Sequence, residues 1–409
     1  MQVVKNKINN LYVNLIKTNK FKFVTIRMSF LSPLDYEDIA SYNVLVKMLT
    51  TRNQKYPSIN QFNSYLENKY GMIISGGYSN RGNVGVFNIV SSSMNSKFAI
   101  NENLLKEQIE MIKECLFEPI LTQEVLDEIK TVYIEKLKER LDKKTYILKK
   151  NVHSIFGENN PYGVNIEGNI ESISQVTLEK VISVYKKLIS SDCRVYVCGE
   201  VDEAQLSYFE GFNLKSNDEN YLDMGYLKPI EKREIDVFES SFLQSAISII
   251  YECDIIYNDS LYYALKIFLE MFNYDLFNII REKYNFCYYI YAMSNNYLNT
   301  IEIVSEIESK NLNQIVDIIE DILKGYKENI NKEQFELSKN KIFTALKTSK
   351  ESASDLVDLY FSFDFNKSVA SYDEFYSNYE SVTLDMIKEV VNKLSLKRVS
   401  ILKEGINNG

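Results

Sequence analysis

Histidine is almost absent from this sequence, and its scarcity limits the metal chemistry that the chain can perform. The 409 residues include one histidine, His153, and five cysteines, at positions 115, 193, 198, 253 and 287. Protein zinc sites take three or four His, Cys or carboxylate ligands, and these cysteines form no Cys-x-x-Cys pair. His153 has no second histidine to complete such a site, so we expect it to be structural. An odd, scattered set of cysteines also suits unpaired thiols in a reducing compartment.

Composition excludes two broad classes of function. The chain carries 47 Lys and Arg against 56 Asp and Glu, a net charge of -9 that repels nucleic acid. No segment approaches the roughly 18 unbroken apolar residues that a membrane span needs. With 45% hydrophobic residues the chain can build a large core of two or three domains. We therefore expect a globular, cytoplasmic protein with no nucleic-acid partner and no membrane span.

Arg281 and Tyr288 are the other residues with possible chemistry, and each also has an ordinary structural explanation. Arg281 lies near the end of an apolar helical pattern, where a cation typically compensates the negative end of the helix dipole. Tyr288 lies at the start of a predicted strand, where aromatic residues are common. Taken alone, these two residues indicate no activity.

The elements that would position these residues occur twice, at an offset of about 206 residues. Thr177 and Thr383 each precede an apolar helical pattern and then a β-branched strand, as an N-cap does. Apolar residues at helical spacing predict two long helices, from Thr122 to about Lys150 and from Asn331 to about Tyr360. The other predicted elements correspond in the same way: strands over 21–30 and 242–251, helices from about Tyr36 and Ser260, alternating strands from Met72 and Cys287, and helices over 103–117 and 311–326.

This order predicts an α+β fold, an antiparallel-rich sheet with helices packed on one face, present in two homologous sheet-plus-helices halves. We predict an N-terminal domain over residues 1–202 and a C-terminal domain over residues 234–409. The stretch 203–233 mixes Asp, Asn, Ser, Lys and Pro with little periodicity, and is predicted to be a surface linker.

The repeated elements resemble the pitrilysin or insulinase family of zinc peptidases, in its mitochondrial-processing-peptidase-like branch, over nearly the whole chain. The passage LFNIIREKYNFCYYIYA, from Leu276 to Ala292, is similar to the family's signature LF-x-x-x-REK-x-G-L-A-Y. NPYGVNIEGNIESIS, from Asn160, resembles the family's PYG, Gly and Glu run. The resemblance implies a metallopeptidase-like α/β roll repeated twice.

Active members carry H-x-x-E-H on the first helix, where two histidines one turn apart bind zinc and the glutamate is the general base. The corresponding passage here is NVLVKML, from Asn43 to Leu49. Asn43 and Lys47 occupy the two ligand positions, and Val46 occupies the base position. A protonated ammonium has no lone pair for a metal, and valine cannot accept a proton from water.

The family's third zinc ligand is a glutamate on the long helix. Alignment of YIEKLKERLD, from Tyr133 to Asp142, places Lys136 at this position, and a shift of one residue would select Glu135 instead. The zinc site is incomplete with either residue. We therefore expect no metal in this chain.

In active members an arginine and a tyrosine of the C-terminal half hold the substrate carbonyl and stabilise the charge that develops on it. The match places this pair at Arg281 and Tyr288. Asn285 stands where the family has a glycine that ends the helix, and asparagine also adopts the left-handed conformation. The resemblance thus implies a non-catalytic subunit of a heterodimeric zinc metallopeptidase, inactive alone, that supplies Arg281 and Tyr288.

The implied partner is a homologous subunit that holds zinc in an intact H-x-x-E-H site. The implied substrate is an unfolded peptide that adds to a sheet edge within Gly76–Ser91. Two alternatives stay open: a structural scaffold, as in respiratory complexes, and an accessory factor in bacteriocin maturation or elongation factor P modification, as in bacterial relatives. MFNYDLF, from Met271, has bulky residues where some non-catalytic subunits have a glycine-rich loop, so presequence recognition is not implied.

Overall fold

The computed structural model describes residues 2–157, 160–217, 234–257 and 259–405, and within them each half of the chain builds one sheet. The described elements of the N-terminal half are, in chain order, β1 (Gln2–Ile8), β2 (Leu11–Lys17), β3 (Phe23–Pro33), α1 (Ile39–Thr51), α2 (Ile59–Asn68), β4 (Ile73–Arg81), β5 (Val84–Met94), α3 (Leu104–Phe117), α4 (Gln123–Leu141), α5 (Lys144–Ser154), α6 (Ile170–Ser174), α7 (Leu178–Ser190) and β6 (Asp192–Gly199).

The C-terminal half repeats most of this order. Its described elements are β7 (Glu234–Glu239), β8 (Ser245–Cys253), α8 (Tyr262–Leu276), a π-helix (Phe277–Lys283), β9 (Cys287–Asn295), β10 (Thr300–Ile307), α9 (Leu312–Glu328), α10 (Lys332–Ser349), α11 (Ala353–Asn366), α12 (Tyr372–Glu380), α13 (Leu384–Asn392) and β11 (Leu394–Lys403). Thr177 caps α7 and Thr383 caps α13 through their side chains, as predicted.

Five strands of the first sheet have the same order as the five strands of the second, and β1 is an additional edge strand of the first; the shared order confirms the repeat. The first sheet runs β1-β2-β6-β3-β5-β4, and the second runs β7-β11-β8-β10-β9. Each is antiparallel except for one parallel pair, β2 with β6 and β7 with β11. In both sheets the strand that follows the first long helix, β4 or β9, lies at the edge. The α+β prediction with two homologous halves is therefore confirmed.

The N-terminal hairpin of β1 and β2 was not predicted from the sequence. The segment is rich in polar Asn and Lys, which makes its alternation of apolar and polar residues hard to recognise. In β2 the alternate residues Leu11, Val13 and Leu15 are fully buried. β2 pairs with β6 on its other side, so these side chains enter the core of the first sheet. Tertiary pairing thus decides the structure of a segment whose composition alone is ambiguous.

The two long predicted helices are each broken, which corrects the sequence interpretation. The stretch 122–150 contains α4 and α5, separated at Lys143, whose backbone is extended. The stretch 331–360 contains α10 and the first part of α11. Because helical periodicity continues across both breaks, the pattern conceals the change in direction.

The breaks matter because α5, and α11 as far as Ser362, each join the sheet of the other half. By contacts, one compact unit comprises Met1–Glu139, Glu158–Met224 and Thr348–Ser362, and the other comprises Arg140–Gly157, Gly225–Lys347 and Phe363–Gly409. These units differ from the predicted domains 1–202 and 234–409 by the exchange of these two segments. A division at a single linker cannot describe such an arrangement.

The prediction of a surface linker over 203–233 is wrong for residues 203–217. A 3-10 helix, Glu203–Gly211, places Leu206 and Phe209 in the hydrophobic core of the first unit. Phe212, just after the helix, is buried in the same core. Phe212 packs edge-on against Phe117 of α3, with ring centroids 5.7 Å apart. The rest of the predicted linker, 218–233, lies outside the described residues.

In the first unit, α11 covers the face of the sheet opposite to α1. Phe361 is fully buried there, 4.4 Å from the Arg27 guanidinium and 5.9 Å from the ring of Tyr196. Arg27 is also buried, and it donates hydrogen bonds to Asp358 of α11 and to Asn88 of β5. Burial, together with the nearby charge of Arg81, lowers the pKa of Arg27 to about 10.

In the second unit, α5 covers the sheet in the same way but with the charges reversed. Leu148 and Val152 of α5 pack on Ala246, Ile250 and Leu402. Lys144 binds Glu306 at 2.6 Å. Glu302 is partly buried on this face, where desolvation raises its carboxyl pKa. A basic helix therefore covers an acidic sheet face.

The five cysteines are buried and unpaired, as predicted. Burial raises the pKa of the Cys115, Cys198 and Cys253 thiols to about 12, so these groups are inert near neutral pH. None of the described helices combines the length and the apolar character needed to cross a membrane.

Replacing Phe361 by alanine should lower the free energy of unfolding by about 3 to 4 kcal/mol, because it empties a fully buried aromatic site between Arg27 and Tyr196. Urea unfolding followed by circular dichroism measures this change. The matched control is Leu337→Ala on α10, which is 63% exposed and should change stability by less than about 0.5 kcal/mol. Equal effects of the two variants would contradict the role of α11 as a core element.

Candidate functional site

Asn43, at the first family ligand position, is committed to structural hydrogen bonds. It is buried on α1, and its amide nitrogen donates to the carbonyl oxygens of Ile39 at 2.9 Å and Ile166 at 2.8 Å. Its amide oxygen accepts from the Tyr133 hydroxyl at 3.1 Å. Tyr133 also lies 3.1 Å from the carbonyl oxygen of Glu167. Both ends of the Asn43 side chain are thus occupied, and they connect α1, α4 and the 166–167 loop.

Val46, at the base position, belongs to the core. It is 1% exposed and faces Gly76 of β4. A Cβ atom at Gly76 would lie 3.1 Å from Val46 Cγ1, 3.2 Å from Thr50 Cγ2 and 2.8 Å from the backbone oxygen of Asn88. Glycine at position 76 therefore lets the edge strand approach α1 closely. No proton acceptor stands where the family has its general base.

Lys47 and Lys136 place two positive charges near each other. Desolvation lowers the pKa of the half-buried Lys47, and the charge of Lys136 lowers it further. Lys47 lies one helical turn after Asn43 on α1, and Lys136 lies one turn after Tyr133 on α4. The bonded pair Asn43 and Tyr133 therefore brings the two lysines together.

The geometry also distinguishes Lys136 from Glu135. Residues three apart share a helix face, whereas residues two apart do not. Lys136 thus lies on the Tyr133 side of α4, toward α1, and Glu135 lies away from that side. This arrangement favours the alignment that gives Lys136 as the third position.

The residues at this site do not fit zinc. The amide group of Asn43 is held by Tyr133, Ile39 and Ile166, Val46 is apolar, and two ammonium groups would repel a cation. Among the described residues, no group of three or more His, Cys, Asp or Glu could hold a metal ion. His153 lies on α5 in the second unit, apart from these positions in the sequence and in the contact division.

Arg281 lies in the π-helix that extends α8. Its guanidinium stacks on Phe277, 4.7 Å from the ring centroid, and its Nε is 3.6 Å from a carboxylate oxygen of Glu282. Its side chain is 38% exposed. Burial raises the pKa of the Cys287 thiol at the start of β9, and the charge of Arg281 opposes this rise. The head group is therefore positioned but accessible.

Asn285 ends this helix in the left-handed conformation, with φ of 54°, as the sequence predicted. Its backbone N–H donates to the carbonyl oxygen of Arg281 at 3.0 Å, and the N–H of Phe286 donates to that of Ile280 at 3.1 Å. These bonds satisfy carbonyls that the helix end leaves free. The turn leads directly from Arg281 into β9.

Tyr288 is the most exposed of the large aromatic side chains described, at 82%. The register of β9 against β10 slips here, since Cys287 pairs with Ile307 but Ile290 pairs with Ser305. Two residues of β9 therefore oppose Glu306 alone, which is a β-bulge. Tyr289 contacts Glu306 and stacks on Tyr291, while Tyr288 projects into solvent. The bulge thus aims Tyr288 away from the sheet.

Sequence reasoning missed Tyr133, which holds the first ligand position in place. Its position three residues before Lys136 was the available signal, because that spacing puts both on one helix face. It also missed Asp38, which is fully buried at the start of α1 and binds Lys180 and Lys187 of α7 at 2.6 and 2.5 Å. Nothing in the sequence near Asp38 marks its partners, which lie more than a hundred residues away.

Replacing Lys47 by methionine should raise the free energy of unfolding at pH 7, by up to ~1 kcal/mol. The pKa of Lys47 is lower in the folded chain than its usual 10.5, so folding disfavours the charged form. This cost is complete below the folded pKa and disappears as the pH rises toward 10.5. Urea titrations of both proteins at pH 7 and pH 10.5 should therefore show a gain that shrinks at the higher pH.

The matched control for this measurement is Lys138→Met, an exposed lysine two residues beyond Lys136 on α4. The change in the free energy of unfolding caused by Lys138→Met should be the same at pH 7 and at pH 10.5. A loss of stability on Lys47→Met at pH 7 would show that Lys47 gains more from its surroundings than it loses by burial.

Comparisons with known proteins agree with this geometry. A family profile described as the peptidase M16 inactive domain matches residues 175–342. The chain is 25% identical over 425 aligned positions to the probable inactive metalloprotease YmfF of Bacillus subtilis (strain 168), covering 98% of this chain and 97% of that protein.

Solved structures show the same fold along the whole chain. A conserved protein from Enterococcus faecalis V583 superposes with a TM-score of 0.90 at 22% identity, covering 100% of both chains. A peptidase M16 inactive domain from Pseudomonas fluorescens superposes with a TM-score of 0.80 at 13% identity, covering 99% of each chain. These findings confirm the resemblance to pitrilysin-type peptidases: the chain is similar to proteins described as a peptidase M16 inactive domain and as a probable inactive metalloprotease.

Proposed function

We propose that this chain is the non-catalytic subunit of a heterodimeric zinc peptidase. In this proposal Arg281 and Tyr288 contribute to a peptide-cleaving chamber whose zinc site belongs to a homologous partner with an intact H-x-x-E-H motif. The substrate is an unfolded peptide. This chain alone has no peptidase activity.

One contrast carries the proposal. Two of the zinc-site positions on α1, Asn43 and Val46, have taken on structural bonds and core packing, whereas Arg281 and Tyr288 keep accessible polar groups. An exposed tyrosine with no structural partner gains nothing for the fold, and burial would stabilise it. A β-bulge and a left-handed Asn285 nevertheless fix its strand and the preceding helix. Such local irregularity at an exposed pair is typical of a functional surface.

The chemistry of the pair suits a developing negative charge. The Arg281 guanidinium stacks on Phe277 and faces Glu282 through Nε, which leaves the terminal N–H groups of its planar fork to donate to a substrate. The Tyr288 hydroxyl can donate one further hydrogen bond. Donors fixed in advance around a substrate carbonyl stabilise the oxyanion that forms when the carbonyl is attacked.

We also propose that the protein works in the cytoplasm. Its five thiols are all buried without pairing, which suits a reducing compartment.

The test is to purify this chain alone and in complex with an H-x-x-E-H homologue. The isolated chain should bind less than stoichiometric zinc by elemental analysis and should not cleave a fluorogenic peptide library, whereas the complex should cleave it. Stoichiometric zinc together with cleavage by the isolated chain would overturn the proposal.

Within the complex, Arg281→Ala should lower kcat by about 100-fold, the usual effect of losing one oxyanion donor. Tyr288→Phe should lower it by about 10-fold, since only one neutral hydrogen bond is lost. The control is Lys283→Ala, which removes another basic residue of the same π-helix and should leave kcat within about twofold. Assembly, followed by analytical ultracentrifugation, should be unchanged in all three.

The same variants address the alternative of a structural scaffold. If the complex keeps its full rate after Arg281 and Tyr288 are both replaced, then the chain only assembles the enzyme. A partner that itself lacks H-x-x-E-H would have the same meaning.

A further inference from the structure

The edge of β9 is bonded to a side chain of α8. The amide oxygen of Asn273 accepts from the backbone N–H of Ala292 at 2.6 Å, and its amide nitrogen donates to the backbone carbonyl oxygen of the same residue at 3.0 Å. A side-chain amide carries the same kinds of donor and acceptor as a peptide group. Asn273 therefore pairs with Ala292 as a residue of a neighbouring strand would.

These two bonds lie on the side of β9 that faces away from β10. Ala292 stands opposite Ile303 of β10, and residue pairs in an antiparallel ladder alternate between bonded and non-bonded. Because the N–H of Ala292 is bonded to Asn273, the Ala292–Ile303 pair is a non-bonded one, and the backbone groups of Ala292 point outward. β9 is an edge strand, so no other described strand lies on that side.

Lys266 makes a second connection between α8 and β9. Its ammonium donates to the Ser294 hydroxyl at 2.7 Å and to the amide oxygen of Asn296 at 3.1 Å. Asn296 is itself buried and donates to the carbonyl oxygen of Ile255. Lys266 and Asn273 are seven residues apart in α8, about two turns, and so lie on one face of the helix. This face follows the edge of β9 and holds it at two places.

The first sheet differs at the equivalent position, which is Gly76 of β4. Gly76 and Ala292 end matching rows of residues across the two sheets: Val13, Val195, Met28, Ile89 and Gly76 in the first, and Ile235, Val399, Ile249, Ile303 and Ala292 in the second. The side-chain atoms that face Gly76 are methyl groups of Val46 and Thr50. Methyl groups form no such hydrogen bonds, so the polar closure is a feature of the second sheet.

An added strand would need the same backbone groups that Asn273 occupies. Open strand edges accept extended chains, including further copies of the same protein, and proteins cover such edges to prevent this. A strand that pairs with Ala292 must first break both bonds to Asn273 and displace its side chain. One hydrogen bond changes an equilibrium by about 2- to 10-fold, so the two bonds lower the affinity of an added strand by roughly 10-fold or more.

We propose that Asn273 closes the edge of the second sheet: its amide takes the place of an added strand and excludes extended peptides from β9. Asn273 is in this sense a specificity-determining residue, because it decides that this edge is not a peptide-binding surface. Tyr288 lies before the closed stretch and keeps its exposed side chain. The inference concerns one strand edge within the second unit, so it depends neither on a partner subunit nor on peptidase activity.

The experiment measures strand addition to the isolated full chain. The probe is a fluorescein-labelled peptide TIEIVSEI, the sequence of β10, which already pairs with the inner side of β9. Fluorescence anisotropy gives its affinity, and amide hydrogen exchange read by NMR shows whether it lies on β9. We expect Asn273→Ala to bind the peptide at least about 10-fold more tightly than wild type. The bound peptide should slow exchange at Ala292 in this variant and leave it unchanged in wild type.

The matched control is Asn278→Ala. Asn278 lies on the π-helix that continues α8, and in the described part of the chain its side chain makes no hydrogen bond, so this variant should behave as wild type. Asn273→Ser removes the same amide with a smaller loss of volume, and it replaces Asn273→Ala in the test if circular dichroism shows that the alanine variant is unfolded.

Two further peptides test whether binding occurs by strand pairing. Each is TIEIVSEI with N-methyl groups on alternate residues, so that each has one of its two backbone edges blocked. With the Asn273 variant, one of them should bind as the parent peptide does and the other should not bind, because an added strand uses a single edge.

Three results would overturn the inference: no gain of affinity in the Asn273 variants, equal slowing of exchange at Ala292 in wild type and variant, or equal binding of the two methylated peptides. The heterodimer proposal is measured separately, by cleavage in the complex. Its failure would leave these affinities unchanged, and failure of this test would not alter the expected cleavage.

Discussion

The fold depends on one constraint: each sheet has two faces, and its own half of the chain covers only one of them. In the first unit the second face is closed by α11, through the fully buried Phe361 and the bond from Arg27 to Asp358. In the second unit it is closed by α5, through Leu148 and Val152. Because each helix comes from the other half of the chain, neither half can bury both faces of its sheet without the other.

Charged residues favour the placement of each of these two helices on the sheet of the other half rather than on the sheet of its own half. The covered face of the first sheet presents Arg27 and Arg81, and the helix that closes it brings Asp358. The covered face of the second sheet presents Glu302 and Glu306, and its helix brings Lys144 and Lys149. If either helix folded back over the sheet of its own half, like charges would meet in a poorly solvated place. Such repulsion costs more than an exposed pair would gain, so it excludes the wrong pairing.

The sequence predicted what depends on local patterns and missed what depends on distant pairing. Helical periodicity located α3 and α7, and the capping threonines marked the correct residues. The same periodicity joined α4 to α5, since a break at Lys143 leaves the spacing of apolar residues intact. The exchange itself has no local signature, because Phe361 and Arg27 look like an ordinary aromatic residue and an ordinary strand cation until they meet.

At the candidate site, too, the sequence predicted which residues occupy the positions but not the distant contacts that they make. The motif match gave Asn43, Val46, Lys47 and Lys136, and the resemblance gave Arg281 and Tyr288. The match could not say that Asn43 had become a bridge to Tyr133 and Ile166, because hydrogen bonds to a backbone carbonyl depend on no particular residue at that position.

The four altered zinc positions fall into two groups, according to whether the new side chain is packed into the fold. Where a former ligand position is absorbed into the fold, its polar atoms acquire partners, as those of Asn43 have, and Val46 packs as a core residue. Lys47 and Lys136 have instead acquired a repulsion that shorter or apolar side chains would avoid. The cost falls on the half-buried Lys47, whose charge is partly desolvated, and not on the exposed Lys136. This part of the former zinc site therefore stays polar and next to solvent, whereas Asn43 and Val46 have become part of the packed core.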